Sequence, residues 1–314
     1  MRVIVESHIP FIKGRLEAAG HEVIYLDPDA ISAAAVKDAD ALVIRTRTRC
    51  DAALLEGSRV SRIATATIGT DHIDLGYCRR NGIAVSNAPG CNAPAVAQYV
   101  LSSVLAAGIA PGATIGIVGV GHVGSIVDRW ARANGYRTLL CDPPLGLPAS
   151  LGQIVAEADV ITFHTPLDAT TRHMAGRDLF DACRRNPMVI NAARGPVTDT
   201  RALIDALGSG RLSAAAIDCW EGEPAIDLTL LDMAFIATPH IAGYSLEGKR
   251  RATAMALHAI DPELSVSLDP VAEAPTLDAI AASYSPLADT AALKKAPLDF
   301  ESLRNHYDYR PEPR

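Results

Sequence analysis

Short apolar runs rich in β-branched residues alternate with helical stretches along most of this chain. Parallel strands need a long crossover, which a helix usually supplies, so the alternation predicts an α/β protein with parallel sheets. Helices predicted over 10–19 and 71–81 fall between strands of the first series. We predict two series of strands, the first at 2–5, 22–25, 41–44, 62–65 and 83–85, and the second at 114–118, 138–141, 160–163, 188–191, 214–217 and 234–237.

Two long stretches, one apolar and one amphipathic, connect the two series of strands. Residues 92–107 predict a long helix, with Asn92 as its N-cap and Pro94 in its first turn. Residues 246–258 predict a second long helix, which returns the chain to the first series. Because one core rarely grows past roughly 250–300 residues, a chain of 314 residues is expected to form two domains.

The composition excludes several classes of protein. A formal net charge of −7 gives no basic excess for binding nucleic acid. No apolar run approaches the roughly 20 residues that span a bilayer, so we expect no membrane partner. The six cysteines form no CxxC pair, which predicts free thiols rather than a disulfide framework or a zinc site. Since the first residues do not resemble a signal peptide, we expect a cytoplasmic protein.

The strongest single motif is Gly119-Val-Gly-His-Val-Gly124, between predicted strand 114–118 and a helical run over 126–133. Gly119 permits a tight turn, Gly121 lets a pyrophosphate approach the backbone, and Gly124 lets helix and strand pack closely. The N–H groups at the start of the helix are suited to phosphates. The motif predicts a Rossmann dinucleotide-binding domain, with cofactor contacts from Gly119, Gly121, His122, Val123 and Gly124.

An acidic residue follows the next strand at the spacing that this kind of domain requires. Asp142 comes directly after strand 138–141. Its carboxylate could accept hydrogen bonds from the adenosine ribose and would repel a 2′-phosphate, which favours NAD over NADP. The alternative is an Asp that merely caps the turn before Pro143-Pro144.

Three further polar segments follow the last three strands. They carry Arg194 in an Asn-Ala-Ala-Arg-Gly run, Glu223 in a Glu-Gly-Glu-Pro turn, and His240 in a Thr-Pro-His-Ile-Ala-Gly run. Open α/β sheets bind ligands at the carboxyl ends of their strands. Each residue has a plain structural reading as an Arg in a turn, a Glu before proline or a His satisfied in a loop. Their occurrence together in this order favours a catalytic site.

In these motifs the chain resembles the D-2-hydroxyacid dehydrogenase family, over roughly residues 1–260 with a faint echo at 299–307. The resemblance implies two doubly wound parallel-sheet domains with a short C-terminal extension. Residues 1–91, completed by 245–265, would form a flavodoxin-like substrate domain, and 92–244 the Rossmann NAD domain. It implies an NAD-dependent enzyme that moves a hydride at the hydroxyl-bearing carbon of a 2-hydroxy acid, without a metal.

The resemblance also assigns roles to the three segments. Arg194 would hold the substrate carboxylate and the 2-oxygen, His240 would be the acid/base, and Glu223 would partner the His. A neutral imidazole can accept the hydroxyl proton near pH 7, a carboxylate can orient the ring, and a guanidinium matches a carboxylate. The residues implied around the nicotinamide end of NAD are Thr165, Ala192, Arg194, Asp218 and Gly243.

Other segments resemble one branch of the family, which oxidises the phosphorylated four-carbon acid 4-phospho-D-erythronate in the biosynthesis of pyridoxal 5′-phosphate. They are 64–72, 88–92, 141–144, 163–166, 218–224 and 240–249. The substrate contacts that this resemblance and a basic patch nominate are Arg45, Thr46, Thr67 and Tyr244. Arg47 and Arg49 belong to the same patch, but a solvated edge is favoured for both.

Some features depart from the pattern of that branch. His122 stands where the family commonly has Asn, and 108–113 and 145–152 are short. The branch has a dimerisation domain after the second long helix, and 266–314 could be its remnant. We interpret these residues as a short tail that is loosely packed through Pro297 and then forms one short helix near 300–307. We still expect a homodimer, through residues 92–107. Two alternatives remain open: another family specificity (3-phosphoglycerate dehydrogenase or hydroxypyruvate/glyoxylate reductase) and an NAD-sensing binding protein.

Overall fold

The computed structural model describes residues 1–314, which divide into two compact units. The first unit contains Met1–Asn92 and Leu246–Pro270, and the second contains Ala93–Ser245 and Val271–Arg314. None of the helices combines the length and the hydropathy that a membrane span requires.

Eleven strands form the two sheets. They are β1 (Arg2–Glu6), β2 (Glu22–Leu26), β3 (Ala41–Ile44), β4 (Arg62–Thr65), β5 (Ala84–Ser86), β6 (Thr114–Val118), β7 (Arg137–Cys141), β8 (Val160–Phe163), β9 (Met188–Asn191), β10 (Ala214–Ile217) and β11 (Ile236–Ala237).

Fourteen helices lie between and after the strands. They are α1 (Arg15–Ala18), α2 (Ala33–Val36), α3 (Ala52–Leu55), α4 (Leu75–Arg80), α5 (Ala93–Ala106), α6 (His122–Ala133), α7 (Leu151–Glu157), α8 (Arg177–Ala182), α9 (Thr200–Gly208), α10 (Leu228–Met233), α11 (Leu246–Ile260), α12 (Leu277–Ser283), α13 (Pro286–Lys295) and α14 (Phe300–Asn305).

The first unit is built on a five-stranded parallel sheet in the order β2-β1-β3-β4-β5, which is the flavodoxin-like order. Its strands are apolar on both faces. Val3 and Val5 point into one core, and Ile4, between them, points into the other. This is the pattern expected of a sheet that is covered on both sides. Helix α11 packs against β3 and β4, so the late segment of the chain completes this unit.

The second unit is built on a six-stranded parallel sheet in the order β11-β10-β9-β8-β6-β7. Strand β6 lies between β7 and β8, so the winding of the chain reverses at β6. A crevice opens at such a reversal, outside the carboxyl ends of the strands. The glycine motif begins at that point, immediately after β6. The predicted α/β architecture with two doubly wound sheets is confirmed.

The Rossmann sheet is one strand shorter on its β7 edge than the common 3-2-1-4-5-6 arrangement. After β7 the chain makes a single 3₁₀ turn at Pro143–Leu145 and soon enters α7, whose N-cap is Ser150. Two successive prolines lack the N–H groups that a sheet strand would donate. The short segment noticed at 145–152 therefore has a structural consequence, which is the absence of an outer strand.

The expectation of a loosely packed tail was wrong. Residues 271–314 form α12, α13 and α14, and these helices bury Ile280, Leu293 and Phe300 completely or nearly so. Helices α12 and α13 pack against α5, and α13 also packs against β11. The apolar residues that mark these helices are separated by Pro and Ala, so the helical period was weak in the sequence.

The structure also corrects two expectations about α5. Residues 93–104 are all buried within this one chain, by α6, α12 and α13 among others, so the helix that was expected to form a dimer interface is already covered. Asn92 does not cap the helix, since its Oδ1 atom is buried and accepts no hydrogen bond. Pro94 lies in the first turn, as predicted.

One buried side chain ties the C-terminal segment to the rest of the second unit. The Arg310 guanidinium donates to the Gln98 side chain (3.0 Å) and to backbone carbonyls on either side of it, and it stacks 4.0 Å from the centre of the Tyr284 ring. The backbone carbonyls belong to Ala95, Ile241, Ala242 and Tyr244. These bonds hold α5 and the segment 241–244 to the C-terminal segment.

Replacing this arginine should therefore destabilise the second unit. We expect Arg310→Met to lower the free energy of unfolding by about 3 kcal/mol or more, because it removes the hydrogen bonds that the buried guanidinium donates to Gln98 and to four backbone carbonyls. Both tryptophans, Trp130 and Trp220, lie in the second unit, so urea denaturation followed by tryptophan fluorescence measures the effect. Arg201→Met, at a side chain that is 80% exposed, is the matched control and should change stability by less than about 0.5 kcal/mol. Equal behaviour of the two variants would contradict the anchoring role.

Candidate active site

Three consecutive loops of the second unit carry the residues singled out in the sequence. They follow β9, β10 and β11, which are neighbours in the sheet, so the loops leave the same edge. Arg194, Glu223 and His240 lie in these three loops in that order. The parallel topology places these loops next to one another, since the carboxyl ends of adjacent parallel strands lie side by side.

The imidazole of His240 and the carboxylate of Glu223 form a hydrogen-bonded pair. His240 Nδ1 lies 2.6 Å from Glu223 Oε1, and Glu223 Oε2 accepts a hydrogen bond from the backbone N–H of Trp220 (3.3 Å). Both side chains are about three-quarters buried, at 26% and 25% exposure. With Nδ1 donating to the carboxylate, Nε2 is the nitrogen that can exchange a proton with a ligand.

The electrostatics of the pair keep the carboxylate ionised. Burial alone would raise the pKa of Glu223, but the hydrogen bond and charge of His240, the Trp220 N–H and the charge of Arg304 together place that pKa below its usual value. An ionised carboxylate fixes the tautomer of the imidazole and stabilises the imidazolium that forms when Nε2 accepts a proton.

A second carboxylate, that of Asp218, builds the turn on which His240 stands. Asp218 is 1% exposed, and its Oδ1 accepts hydrogen bonds from the Thr238 hydroxyl and the Ile241 N–H, both at 2.7 Å. Its Oδ2 accepts from the Ala242 N–H at 3.0 Å. His240 has φ +57°, a left-handed conformation that costs a non-glycine residue about 1–2 kcal/mol. The fixed turn stabilises this conformation.

The loop of Arg194 packs against the loop of Glu223 at one close backbone contact. A Cβ atom on Gly195 would lie 2.0 Å from the carbonyl oxygen of Trp220, so no residue with a side chain fits there. The Asn191 side chain donates to the carbonyl of Arg194 (3.0 Å), and Arg194 Nη1 donates to the carbonyl of Ala193 (2.8 Å). The Gly after the Arg is thus required for packing, which the motif alone did not reveal.

The glycine motif has the geometry that a dinucleotide pyrophosphate needs. Gly119 has φ +89°, and a Cβ on it would lie 2.7 Å from backbone atoms of His164. A Cβ on Gly124 would lie 2.1 Å from the Gly119 carbonyl oxygen. By contrast, a Cβ on Gly121 meets no atom within 4 Å, so the space beside the start of α6 is open. The N-terminus of α6 has no side-chain cap, so its first N–H groups remain available to a ligand in that space.

Asp142 supports this turn from the end of β7. Its Oδ2 accepts a hydrogen bond from the Val120 N–H at 2.8 Å, inside the glycine motif. The side chain is partly exposed, so the other oxygen can still accept a hydroxyl. His122 is the exposed first residue of α6, and Val123 is half-buried beside it. These residues fit NAD, with the glycines and α6 at the pyrophosphate and Asp142 placed for the ribose.

The remaining residues expected around the nicotinamide also follow strands of this sheet. Thr165 comes after β8, Ala192 after β9 and Gly243 after the His240 turn, and all three are half-buried. Asp218, which was expected to meet the carboxamide, already accepts the three hydrogen bonds of the turn, and burial raises its pKa. Its structural role was not apparent from the sequence, because an Asp after a strand has no distinctive spacing.

The substrate residues expected in the first unit lie at the carboxyl edge of its own sheet. Arg45 and Thr46 follow β3, Thr67 follows the neighbouring β4, and Thr46 is exposed. Arg45 is already paired, since its Nε donates to Oε1 of the fully buried Glu6 at 2.7 Å and its backbone N–H donates to Oε2 at 2.8 Å. This pairing offsets much of the positive charge for which Arg45 was nominated.

The two other arginines of that patch behave as a solvated edge. Arg49 is 81% exposed and pairs with Asp51 at 2.7 Å, and Arg47 is exposed. The remaining nominee, Tyr244, lies in the second unit on the loop after His240 and is half-buried.

Comparison with known proteins agrees with this geometry. The model of the family described as D-isomer specific 2-hydroxyacid dehydrogenase, NAD binding domain, matches residues 104–242. A relative from Bacteroides fragilis named erythronate-4-phosphate dehydrogenase is 44% identical, over 99% of this chain and 97% of its own length. Relatives of the same name from Porphyromonas gingivalis and Escherichia coli O157:H7 are 40% and 38% identical, over 100% and 99% of this chain and 93% and 92% of their own lengths.

Solved structures share the fold. The TT0316 protein from Thermus thermophilus superposes with a TM-score of 0.71 at 29% identity, covering 91% of this chain and 98% of its own. A D-lactate dehydrogenase from Aquifex aeolicus, in complex with NAD and lactic acid, superposes with a TM-score of 0.69 at 24% identity, covering 86% and 100%. The latter likeness establishes the fold alone.

The chain belongs to the D-isomer specific 2-hydroxyacid dehydrogenase family. Within that family, the relatives that span nearly its whole length carry the name erythronate-4-phosphate dehydrogenase. The resemblance inferred from the sequence is confirmed at both levels. The family's cofactor is NAD, which confirms the choice that Asp142 indicated.

The contrast between two glycines of the motif gives a test of the cofactor site. Gly121→Ala should fold normally but bind NAD at least about 10-fold more weakly, because its methyl group enters the open space that a pyrophosphate would fill. Gly124→Ala should instead lose thermal stability, since its methyl group would overlap the Gly119 carbonyl. Calorimetric titration with NAD and a thermal melt measure the two effects. Normal NAD affinity in Gly121→Ala would place the pyrophosphate elsewhere.

A histidine beside the motif, whose ring nitrogen Nδ1 is buried, should make stability depend on pH. Burial lowers the pKa of His164 to about 3, and its Nδ1 has no hydrogen-bond partner. Between about pH 3 and 6.5 the unfolded chain binds a proton here that the folded chain does not, so the free energy of unfolding rises with pH across this window. This dependence is about 1.4 kcal/mol per pH unit well inside the window.

The variant His164→Gln should lack that contribution. Urea denaturation at about pH 5 and about pH 7.5 measures the difference in stability between the two values, which we expect to be smaller in the variant than in the unaltered chain. His8→Gln, at an exposed side chain, is the control. An unchanged difference in His164→Gln would mean that the ring is protonated in the folded state.

Proposed function

We propose that this protein oxidises the 2-hydroxyl of 4-phospho-D-erythronate to give (R)-3-hydroxy-2-oxo-4-phosphobutanoate, in the biosynthesis of pyridoxal 5′-phosphate. The observation that carries the proposal is the His240–Glu223 pair at 2.6 Å, on the loops that follow β10 and β11. The names of the relatives that span the whole chain support the choice of substrate.

The proton of the reaction passes through His240. Oxidation of a secondary alcohol removes the hydroxyl proton from oxygen and a hydride from carbon. Nε2 of the neutral imidazole accepts the proton, while Nδ1 stays hydrogen-bonded to Glu223. NAD, when bound at the glycine motif, supplies the hydride acceptor. In the reverse direction the imidazolium returns the proton to the 2-oxygen.

Arg194 and the two carboxylates have distinct tasks in this proposal. The Arg194 guanidinium would hold the substrate carboxylate and the 2-oxygen, and so orient the reacting carbon. Glu223 stays ionised and stabilises the imidazolium. Asp218 does not touch the reacting atoms but fixes the turn that aims His240.

The proposal is tested with purified protein, NAD, 4-phospho-D-erythronate and a 2-oxo acid that reoxidises any NADH retained by the enzyme. We expect turnover in the unaltered chain and a decrease of about 10²–10⁴-fold in kcat for His240→Gln, because the general base is lost. His258→Gln, at an exposed ring on α11, is the matched control and should retain activity.

The same experiment separates the alternatives. If the unaltered chain turns over 4-phospho-D-erythronate no faster than His240→Gln does, but turns over 3-phosphoglycerate, hydroxypyruvate or glyoxylate faster, one of these acids is the substrate instead. NAD binding without turnover of any of these acids would indicate an NAD-sensing protein.

The charge of Glu223 gives a further prediction. Glu223→Gln preserves the shape of the side chain but cannot stabilise an imidazolium, so we expect kcat to fall by about 10–100-fold with a smaller change in KM. If His240 is the proton donor, the loss in the reductive direction should be greatest at high pH, where the imidazolium is scarcest. A loss that is least at high pH would contradict that role. A pH profile of both directions checks this, and an unchanged kcat would remove Glu223 from the site.

We also propose a homodimer in the cytoplasm. The family resemblance supports the dimer, but its interface would lie outside 93–104, since those residues are buried within one chain. Light scattering should then give twice the chain mass of 33.1 kDa. The six free, buried cysteines support a reducing compartment.

A further inference from the structure

A cation from the C-terminal segment lies beside the catalytic pair. Arg304 belongs to α14, and its side chain is only 21% exposed. Its Nε donates a hydrogen bond to the hydroxyl of Tyr244 at 3.3 Å, on the loop that follows His240. Its charge also acts on Glu223, as part of what keeps the pKa of that carboxyl low. Arg304 therefore contacts the nominated substrate residue Tyr244, and its charge acts on the carboxylate of the proposed acid/base pair.

Burial would lower the pKa of the Arg304 guanidinium, but Tyr244, Glu223 and Glu301 together raise it. Even so, no carboxylate oxygen lies within hydrogen-bonding distance of this guanidinium. The nearest carboxylate oxygen, Glu301 Oε1, lies 3.6 Å from Nη1 on a side chain that is 43% exposed. Glu223 is committed to His240 and to the Trp220 N–H. A guanidinium has five N–H donors, and only Nε of Arg304 makes a hydrogen bond. Unpaired donors on a mostly buried cation are costly unless a ligand satisfies them.

The position of Arg304 is fixed by the same contacts that anchor the segment. The ring of Tyr244 packs edge-on against Tyr307 and Tyr309, with ring centres 6.2 Å apart in both cases. Arg310 donates to the carbonyls of Ile241 and Tyr244 at 3.0 and 3.2 Å. The segment after α13 thus holds the loop of Tyr244 and presents Arg304 to it at a defined place.

The other nominated cation is in a different electrostatic situation. Arg45 forms a 2.7 Å ion pair with Glu6, a carboxylate that is completely buried. A phosphate dianion needs cationic donors whose charge is not already neutralised. Arg304 meets this requirement better than Arg45.

We propose that Arg304 binds the phosphate of the substrate beside Tyr244, and that it is a specificity-determining residue for phosphorylated over unphosphorylated 2-hydroxy acids. The inference rests on the proposed function for the identity of the reacting acid. It assigns to residues 300–310 a part of the substrate site, which nothing in the sequence motifs of the two sheets indicated. Fork-shaped guanidinium donors suit phosphate oxygens, and a lysine would provide only a point charge.

The test compares two substrates in Arg304→Gln. We expect kcat/KM for 4-phospho-D-erythronate to fall by about 100-fold or more, while kcat/KM for unphosphorylated D-erythronate changes by less than about 3-fold. Arg304→Lys should recover part of the loss, because it keeps the charge. Arg201→Gln, on the exposed face of α9, is the matched control and should leave both values unchanged.

Two outcomes would overturn the proposal. An equal loss on both substrates would mean that Arg304 acts only by supporting the catalytic loop. A loss in Tyr244→Phe equal to that in Arg304→Gln, on the phosphorylated substrate, would mean that Arg304 acts only through the tyrosine hydroxyl.

A second measurement does not depend on turnover. Inorganic phosphate at millimolar concentration should raise the Tm of the unaltered chain and of Arg201→Gln, but not that of Arg304→Gln. If no acid is turned over yet phosphate stabilisation depends on Arg304, the proposed function fails and the anion site stands. If turnover occurs but phosphate stabilises all variants equally, the assignment of Arg304 fails.

Discussion

The arrangement of the active site depends on one buried carboxylate that does no chemistry. Asp218 follows β10 and accepts hydrogen bonds from the turn after β11, so it joins the two loops that hold Glu223 and His240. These bonds offset part of the strain of the left-handed backbone at His240. The hydrogen bond from His240 to Glu223 is then the consequence of a turn whose shape is already set. The position of His240 is thus set by a backbone turn that the Asp218 side chain holds in place.

Charged groups of both signs surround this turn. Asp218 and Glu223 are acidic, and Arg194, Arg304 and Arg310 approach from the neighbouring loop and from the C-terminal segment. The thiol of Cys219 lies among them, and burial together with the charges of Asp218 and Glu223 raises its pKa well above the usual value, so it stays a neutral thiol. The imidazole of His240 therefore has an ionised Glu223 as its partner, and the Cys219 thiol near Glu223 is neutral.

Much of the fold could be predicted from the sequence, because buried parallel strands leave compact apolar runs. Strands β3, β4, β6, β8, β9 and β10 have the predicted bounds. Helix α1 is shorter than the predicted 10–19, since Phe11 and Gly14 adopt positive φ and only the residues after Gly14 wind into a helix. Helices α12 and α13 were missed because Pro and Ala dilute their apolar pattern, whereas the short helix predicted near 300–307 corresponds to α14. At the site, Glu223 and His240 were predicted from their motifs and from the family resemblance. The contacts of Arg304 and Asp218 are with residues distant in sequence, and Gly195 is required by a close backbone contact. No local sequence pattern records such contacts.

The anchoring of the His240 turn by Arg310 has a consequence for the order in which the enzyme becomes competent. During synthesis the chain is made from its N-terminus, so both sheets and the catalytic histidine are complete well before residue 310 leaves the ribosome. In that interval the carbonyls of Ile241 and Ala242 lack their later donor. A nascent chain would thus carry both residues of the proposed acid/base pair on loops that are still unsecured, and maturation of the site would await the synthesis of Arg310.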